Sequence, residues 1–539
     1  MDLRWKRTVR LTMVLSLLVQ IAVACGGPSG TTTGPSYRSG GTLTMRLNGD
    51  WTSSSGAPWD IGSFPSTNAQ FISQLFYDRL VAVGPKNTVA PYLAKSWTIT
   101  PATIVFTLRK DAVCQDGTPI TPTVVAKSLH RFTDPGTKSS QAARLLTAGP
   151  FTITPDDAAA TVTFTTAIPS NELIWGFTNP QTGIICPAGI SNPTTMKSKP
   201  AGSGPYTLET NNQGDSLTAA LRPDWSWGPQ GVTSKTAGLP AKVTFKLVAS
   251  ETTAANLLTT GGVDMALITS NDVVRLLADP SLSHKDAHSF YAFPLVVNQA
   301  AGHPGADPVL REALFQAIDP KGYNQVANGG RGILSSSFLT PDANCYDAST
   351  KPLAPTYNVD KAKATLTAGG YSVGSGGITK DGKPVNLMVV GRTDFNQGPD
   401  YLISQLNNLG FKTDGSRPTL DNVPYGQAFQ AGNWDITVEF IPTATPEPGV
   451  NITFFTGEPP PKGTNFARML DSKITGEVQA ALQAPLADRC KQWATVQEDL
   501  LKNHDLLPTA APLSTWFGKK VDFQPATTFI EPYTLRVLS

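Results

Sequence analysis

The chain has 539 residues, too many for one hydrophobic core, and at roughly 150 residues per domain it should fold as three or more units. Hydrophobic residues at 40% and charged residues at 16%, with 47 Gly and 44 Pro, describe a turn-rich globular protein and exclude wholesale disorder. The formal charge of +2 comes from the first 24 residues, where Arg4, Lys6, Arg7 and Arg10 stand against Asp2; the remainder carries 39 basic and 40 acidic residues, which excludes a nucleic-acid partner.

Residues 1–10 are basic and residues 11–24 are 14 uncharged, mostly apolar residues, a signal-peptide pattern and too short for an untilted membrane span of roughly 20 residues. Ala22-Val23-Ala24-Cys25 resembles a bacterial lipobox, with Ala22 where Leu is usual. That resemblance implies cleavage after residue 24, a lipid thioether on Cys25, and an extracytoplasmic protein held on the bacterial cell membrane by its lipid alone. Residues 25–37 contain no large aliphatic side chain and read as a flexible linker. Two or three acyl chains, at about 0.8 kcal/mol per buried CH₂, suffice to anchor it.

Residues 41–47 alternate apolar and polar side chains, and 104–109 and 159–165 are rich in β-branched residues, so all three are expected as strands. Residues 69–80 place Phe71, Leu75, Phe76 and Leu80 at helical spacing, and 123–132 behave similarly, so both are expected as helices. The same alternation of types continues along the chain without a fixed-period repeat, which places it in the mixed α/β class.

No motif supports catalysis. Gly370-Tyr371-Ser372-Val373-Gly374 spells G-x-S-x-G, but it follows a helix over 360–368 and runs into a glycine-rich, flexible 374–377, the reverse of the strand–Ser–helix order a nucleophile elbow needs. The histidines, His130, His284, His288, His303 and His504, include no HExxH pair; His284 and His288 sit in a polar stretch, 281–289, expected as a solvated loop. Gly329-Gly330-Arg331-Gly332 lacks the Lys and Ser of a phosphate loop and reads as a turn. Neither a metal nor a cofactor is expected. With Cys25 assigned to lipid, Cys114, Cys186, Cys345 and Cys490 remain as disulfide candidates, with three pairings open.

An ordered series of short segments carries a family resemblance: Gly40-Gly41-Thr42-Leu43, Leu75-Phe76-Tyr77-Asp78, Ala90-Pro91-Tyr92-Leu93-Ala94, Phe106-Thr107-Leu108-Arg109, Gln115-Asp116-Gly117-Thr118-Pro119, Gly202-Ser203-Gly204-Pro205-Tyr206, Arg222-Pro223-Asp224-Trp225, Leu310-Arg311-Glu312-Ala313-Leu314 and Tyr357-Asn358-Val359-Asp360. Singly these are turn and cap chemistry. Together, over about residues 38–535, they resemble the family 5 extracellular solute-binding proteins of ABC importers, which include oligopeptide-, dipeptide- and nickel-binding types.

The resemblance implies a two-lobed clamp of the type II periplasmic-binding-protein kind with an additional subdomain on the first lobe. The first lobe would comprise 38–88, 200–290 and 508–539, the subdomain 89–199, and the second lobe 291–507. Cys114 with Cys186 and Cys345 with Cys490 is then the favoured pairing, because each couple falls within one proposed lobe. The protein would be a monomeric receptor, not an enzyme, delivering a small molecule or peptide to permease subunits. Candidate ligand contacts are Trp51, Trp59, Tyr291, Asn298, Trp434, Glu439 and Trp516. Peptide binders of this family commonly carry an Asp where Ala444 stands here, so Glu439 or Glu447 would have to receive a ligand ammonium, or the ligand is an oligosaccharide or another polar solute.

Overall fold

The strand Thr42–Leu47 lies inside a seven-stranded sheet, paired in parallel with Lys242–Leu247 on one side and with Met265–Ile268 on the other. This comes from a computed structural model that describes residues 36–38, 40–51, 58–62, 67–137, 139, 142–146, 150–438, 445–526 and 529–539. The signal segment, Cys25, the linker up to residue 35 and Glu439 lie outside the described residues. The full order of that sheet is Leu282–His288, Leu513–Lys519, Met265–Ile268, Thr42–Leu47, Lys242–Leu247, Ser216–Leu221 and Tyr206–Asn212. It forms the first lobe, with Leu43, Met45, Leu217, Val243, Phe245 and Met265 packed beneath.

Between the first strand and Tyr206 the chain builds the additional subdomain, an antiparallel sheet ordered Ala94–Thr100, Thr103–Leu108, Thr161–Thr166 and Phe151–Asp156. Its Thr/Val/Phe alternation buries Ile104, Phe106, Val162 and Phe164 on one face. The helix Pro122–Thr133 covers that face, capped by the Thr121 side chain on Val124 N–H, with Pro122 at its first turn. Cys114 and Cys186 are bonded and stitch the subdomain together.

The second lobe has a four-stranded sheet, Ile333–Leu334, Leu506–Ala511, Phe293–Val297 and Ile436–Val438. Helices Pro308–Ala317, Gly398–Leu409 and Arg489–Lys502 pack around it, and Cys345 is bonded to Cys490. The protein is therefore mixed α/β and two-lobed, with the subdomain attached to the first lobe.

Three local expectations change. The helix expected over 69–80 is Thr67–Ser73 and stops there, because the carbonyls of Leu75 and Phe76 accept from Tyr206 and Gly204 N–H at 2.9 Å each, holding that stretch alongside the 202–206 segment. The loop expected over 281–289 contains an edge strand, Leu282–His288, paired antiparallel with the apolar Leu513–Lys519. The glycine-rich 374–377 closes a hairpin between Tyr371–Gly374 and Gly377–Lys380, so Ser372 sits on a strand that follows the helix Val359–Ala368.

Candidate functional site

Two strands cross together from one lobe to the other. Leu282–His288 pairs with Leu513–Lys519 in the first lobe, ending at His288 opposite Leu513, and Phe293–Val297 pairs with Leu506–Ala511 in the second, beginning at Phe293 opposite Ala510. Only residues 289–292 on one chain segment and Pro512 on the other lie between. At this crossover Arg331 of the second lobe donates to Thr515 Oγ1 at 2.8 Å, and His288 Nε2 lies 2.8 Å from Asp342 Oδ2.

Away from the crossover, the subdomain and the second lobe meet along a polar seam. Asn171 donates its backbone N–H to Leu482 O at 2.8 Å and its side-chain amide to Ala484 O at 2.7 Å. Its neighbour Glu172 is 2% exposed and reaches into the second lobe, where Oε1 accepts from the Trp493 indole at 2.6 Å and Oε2 from Gly449 N–H at 2.7 Å. Gly449 leaves room for this approach, since a Cβ there would stand 2.5 Å from Glu172 Oε2 and from Leu482 Cδ2 and push both side chains aside. Val450 beside it packs into the apolar core of the subdomain.

Glu447, fully buried, is the second carboxylate of the seam. Its Oε1 accepts from Asn344 Nδ2 at 2.6 Å and from Arg489 Nη2 at 2.7 Å, while Oε2 makes no hydrogen bond of ordinary geometry. Burial, and then the Glu447 charge, push Glu172 up to about 8; Trp493, Arg489 and Gly449 N–H act in the other direction. Burial also raises Glu447, against the pull of Arg489, Asn344 and the Trp175 indole. Two carboxylates thus share one guanidinium in a water-poor seam.

The residues singled out from sequence fall into separate groups. Trp51, Trp59 and Trp516 are buried in the first-lobe core: Trp51 donates to Asn211 Oδ1 at 3.1 Å, Trp59 meets Phe76 edge to face at 5.4 Å, and Trp516 lies against Phe71. Asn298 and Trp434 are brought together in the second lobe, the Asn298 amide donating to Trp434 O at 2.9 Å while the Trp434 ring stacks on Phe429 at 4.8 Å. Tyr291, at the crossover, donates its hydroxyl to the Glu447 carbonyl, so these two do converge. Glu172, Arg489 and Trp493 were not anticipated. The one available signal was that Glu172 is the only charged residue between Asp157 and Lys197.

Among the described residues no group of three or more His, Cys, Asp or Glu side chains could hold a metal, and no helix is long and apolar enough to cross a membrane.

Comparison with known proteins adds to this geometry. The family described as bacterial extracellular solute-binding proteins, family 5 middle, matches residues 88–461. The glutathione-binding protein GsiB of Escherichia coli (strain K12) is 27% identical over 322 residues, which is 57% of this chain and 58% of that protein's length. A substrate-binding protein from Microbacterium hydrocarbonoxydans, solved with 4-hydroxybenzoate hydrazide, superposes with a TM-score of 0.76 at 26% identity, covering 92% of this chain and 99% of the other. The oligopeptide-binding protein AppA of Bacillus subtilis, solved with a nonapeptide, shares the fold at a TM-score of 0.75 and 15% identity, over 94% of this chain and 100% of that one. With two lobes, a double-strand crossover and this match over most of its length, the chain belongs to the family 5 bacterial extracellular solute-binding proteins.

Proposed function

We propose that this protein is an extracytoplasmic receptor, lipid-anchored through Cys25, that encloses a small ligand between its lobes and passes it to the permease subunits of an ABC importer. The observation that carries this reading is the paired crossover at 289–292 and Pro512: with only two short connections between the lobes, a ligand touching both selects the closed arrangement over an open one in which it touches one. The lobe limits are taken as 38–88, 200–290 and 512–539 against 291–511, with 89–199 as the subdomain; the boundary expected at 508 moves to Pro512 because Leu506–Ala511 pairs with Phe293–Val297 and Ile333–Leu334.

A peptide is the leading ligand class. The glutathione-binding relative and the peptide-bound structure of the same fold support it. A second reading, a polar non-peptide solute, is favoured by one observation: Glu447, one of the two carboxylates with Glu439 that would have to receive an ammonium in the absence of an Asp at 444, is already engaged by Arg489 and Asn344. Native mass spectrometry of protein purified without refolding tests both. Retained mass fitting a peptide supports the first and another solute the second; turnover of an added peptide or ester, with no saturable rise in melting temperature, would overturn the receptor reading.

A further inference from the structure

The seam between the subdomain and the second lobe has an unusual charge balance. Every bond across it joins parts far apart in sequence: Glu172 with Gly449 and Trp493, and Asn171 with residues 482–484. The ionisable groups facing Glu172 are Glu447 and Arg489; the other partners of the two carboxylates, Trp493, Gly449 N–H, Asn344 and the Trp175 indole, are neutral. One positive charge therefore faces two carboxylates, and the arrangement is neutral only if one of them holds a proton. Glu447 already occupies Arg489 at 2.7 Å, which leaves Glu172 as the carboxyl to be protonated.

We propose that Glu172 is a proton-dependent latch: protonated, it holds the subdomain of the first lobe against the second lobe, and ionised beside Glu447 it releases it. The latch rests on the clamp reading above and adds its regulation.

The direction follows from proton counting. With the lobes apart, Glu172 is in water and titrates as an ordinary glutamate; with the seam closed it keeps its proton up to about 8. Closure takes up a proton between those limits. It is fully favoured at pH below the ordinary glutamate value, weakens as pH rises by at most about tenfold per unit for one proton, and levels off above about pH 8. Ligand that depends on closure would be held more tightly in a mildly acidic environment than in an alkaline one.

Hydrogen exchange of the full chain without added ligand, corrected for intrinsic rates, tests this. In the wild type, protection of peptides spanning 171–179 and 445–456 should fall by about tenfold or more from pH 6 to pH 9, while Thr42–Leu47 and Lys242–Leu247 stay unchanged. Glu172→Gln, neutral at every pH, can still accept from Gly449 N–H but turns its amide NH₂ toward the Trp493 indole, so its seam should start less protected than the wild type and then lose nothing further between pH 6 and pH 9. Gly449→Ala, whose Cβ pushes Glu172 Oε2 and Leu482 Cδ2 aside, should lower the protection of the seam at every pH. The same pH-dependent loss in Glu172→Gln would overturn the proposal. So would a flat wild-type profile beside a less protected Gly449→Ala seam, which leaves two-lobed opening intact and removes only the proton. A wild-type seam that exchanges as slowly as Thr42–Leu47 at every pH means that the lobes do not part there, and the latch is wrong.

Discussion

Trp493 donates its indole N–H to Glu172 Oε1 at 2.6 Å across 321 residues of sequence, tying the second-lobe core to the subdomain through one hydrogen bond. Trp493→Phe keeps most of the ring volume and removes the donor. A buried carboxylate that loses one of its two donors should cost about 1–3 kcal/mol. The same change removes a group that favours the ionised form of Glu172 in the closed seam, so closure should be weaker at every pH and should go on weakening to a higher pH before it levels off. Urea unfolding at pH 8 measures the first effect; a loss below about 0.5 kcal/mol would show that the bond contributes nothing beyond packing.

Arg79 and Glu531 form a second buried pair, with side chains 4% and 6% exposed, and Arg79 also donates to Thr178 O at 2.7 Å. Arg79→Met leaves Glu531 charged and unpaired and should destabilise by about 3–5 kcal/mol. Adding Glu531→Leu removes that charge and should restore most of the loss. The double-mutant cycle read by denaturant midpoints decides the matter, since a double variant no better than the single would refute the account.

How much of this was legible in the sequence depended on the range over which each feature is encoded. The helix Pro122–Thr133 was legible because its cap, its proline and its apolar spacing all lie within a dozen residues. Leu282–His288 was not: its residues, LSHKDAH, carry no apolar alternation, and the strand exists because Leu513–Lys519 offers it an edge. The helix through residues 69–80 was overextended because the partners that draw Leu75 and Phe76 out of helical geometry stand at 204 and 206. Glu447 came into view through family resemblance, yet neither its partner Arg489 nor its neighbour Glu172 could, because no local period relates positions 172, 447 and 489.

The segment Gly202-Ser203-Gly204-Pro205-Tyr206, part of the family fingerprint, has a physical reason of its own. At Gly204 a Cβ would stand 2.5 Å from the Phe76 carbonyl carbon and 2.6 Å from Leu75 O, while its N–H donates to Phe76 O at 2.9 Å. Backbone meets backbone there, with no flexible side chain to move aside. Gly204→Ala should therefore cost more than about 2 kcal/mol, at the upper end for single substitutions, and Ser203→Ala should be much milder. Thermal unfolding of the two variants compares them directly, and equal midpoints would remove the close-approach explanation.

The Cys345–Cys490 bond acts on the seam as well as on stability. Asn344 and Arg489, the two residues that hold Glu447 Oε1, each precede one of the bonded cysteines. Replacing both with Ser frees a loop closed over 145 residues and should cost about 2–5 kcal/mol, less than the full loop entropy if the denatured chain stays compact. It should also let the start of Arg489–Lys502 drift from the 344–346 loop, so that Glu447 loses its charge partner and the two carboxylates repel more strongly. The expected signature is twofold: a lower unfolding midpoint, and a seam that opens at lower pH than in the wild type. Removing Cys114 and Cys186 instead should lower the midpoint without moving that pH, because neither cysteine adjoins a partner of Glu447 or Glu172. If both disulfide variants shift the pH dependence equally, the seam is responding to global stability and Cys345–Cys490 has no positioning role.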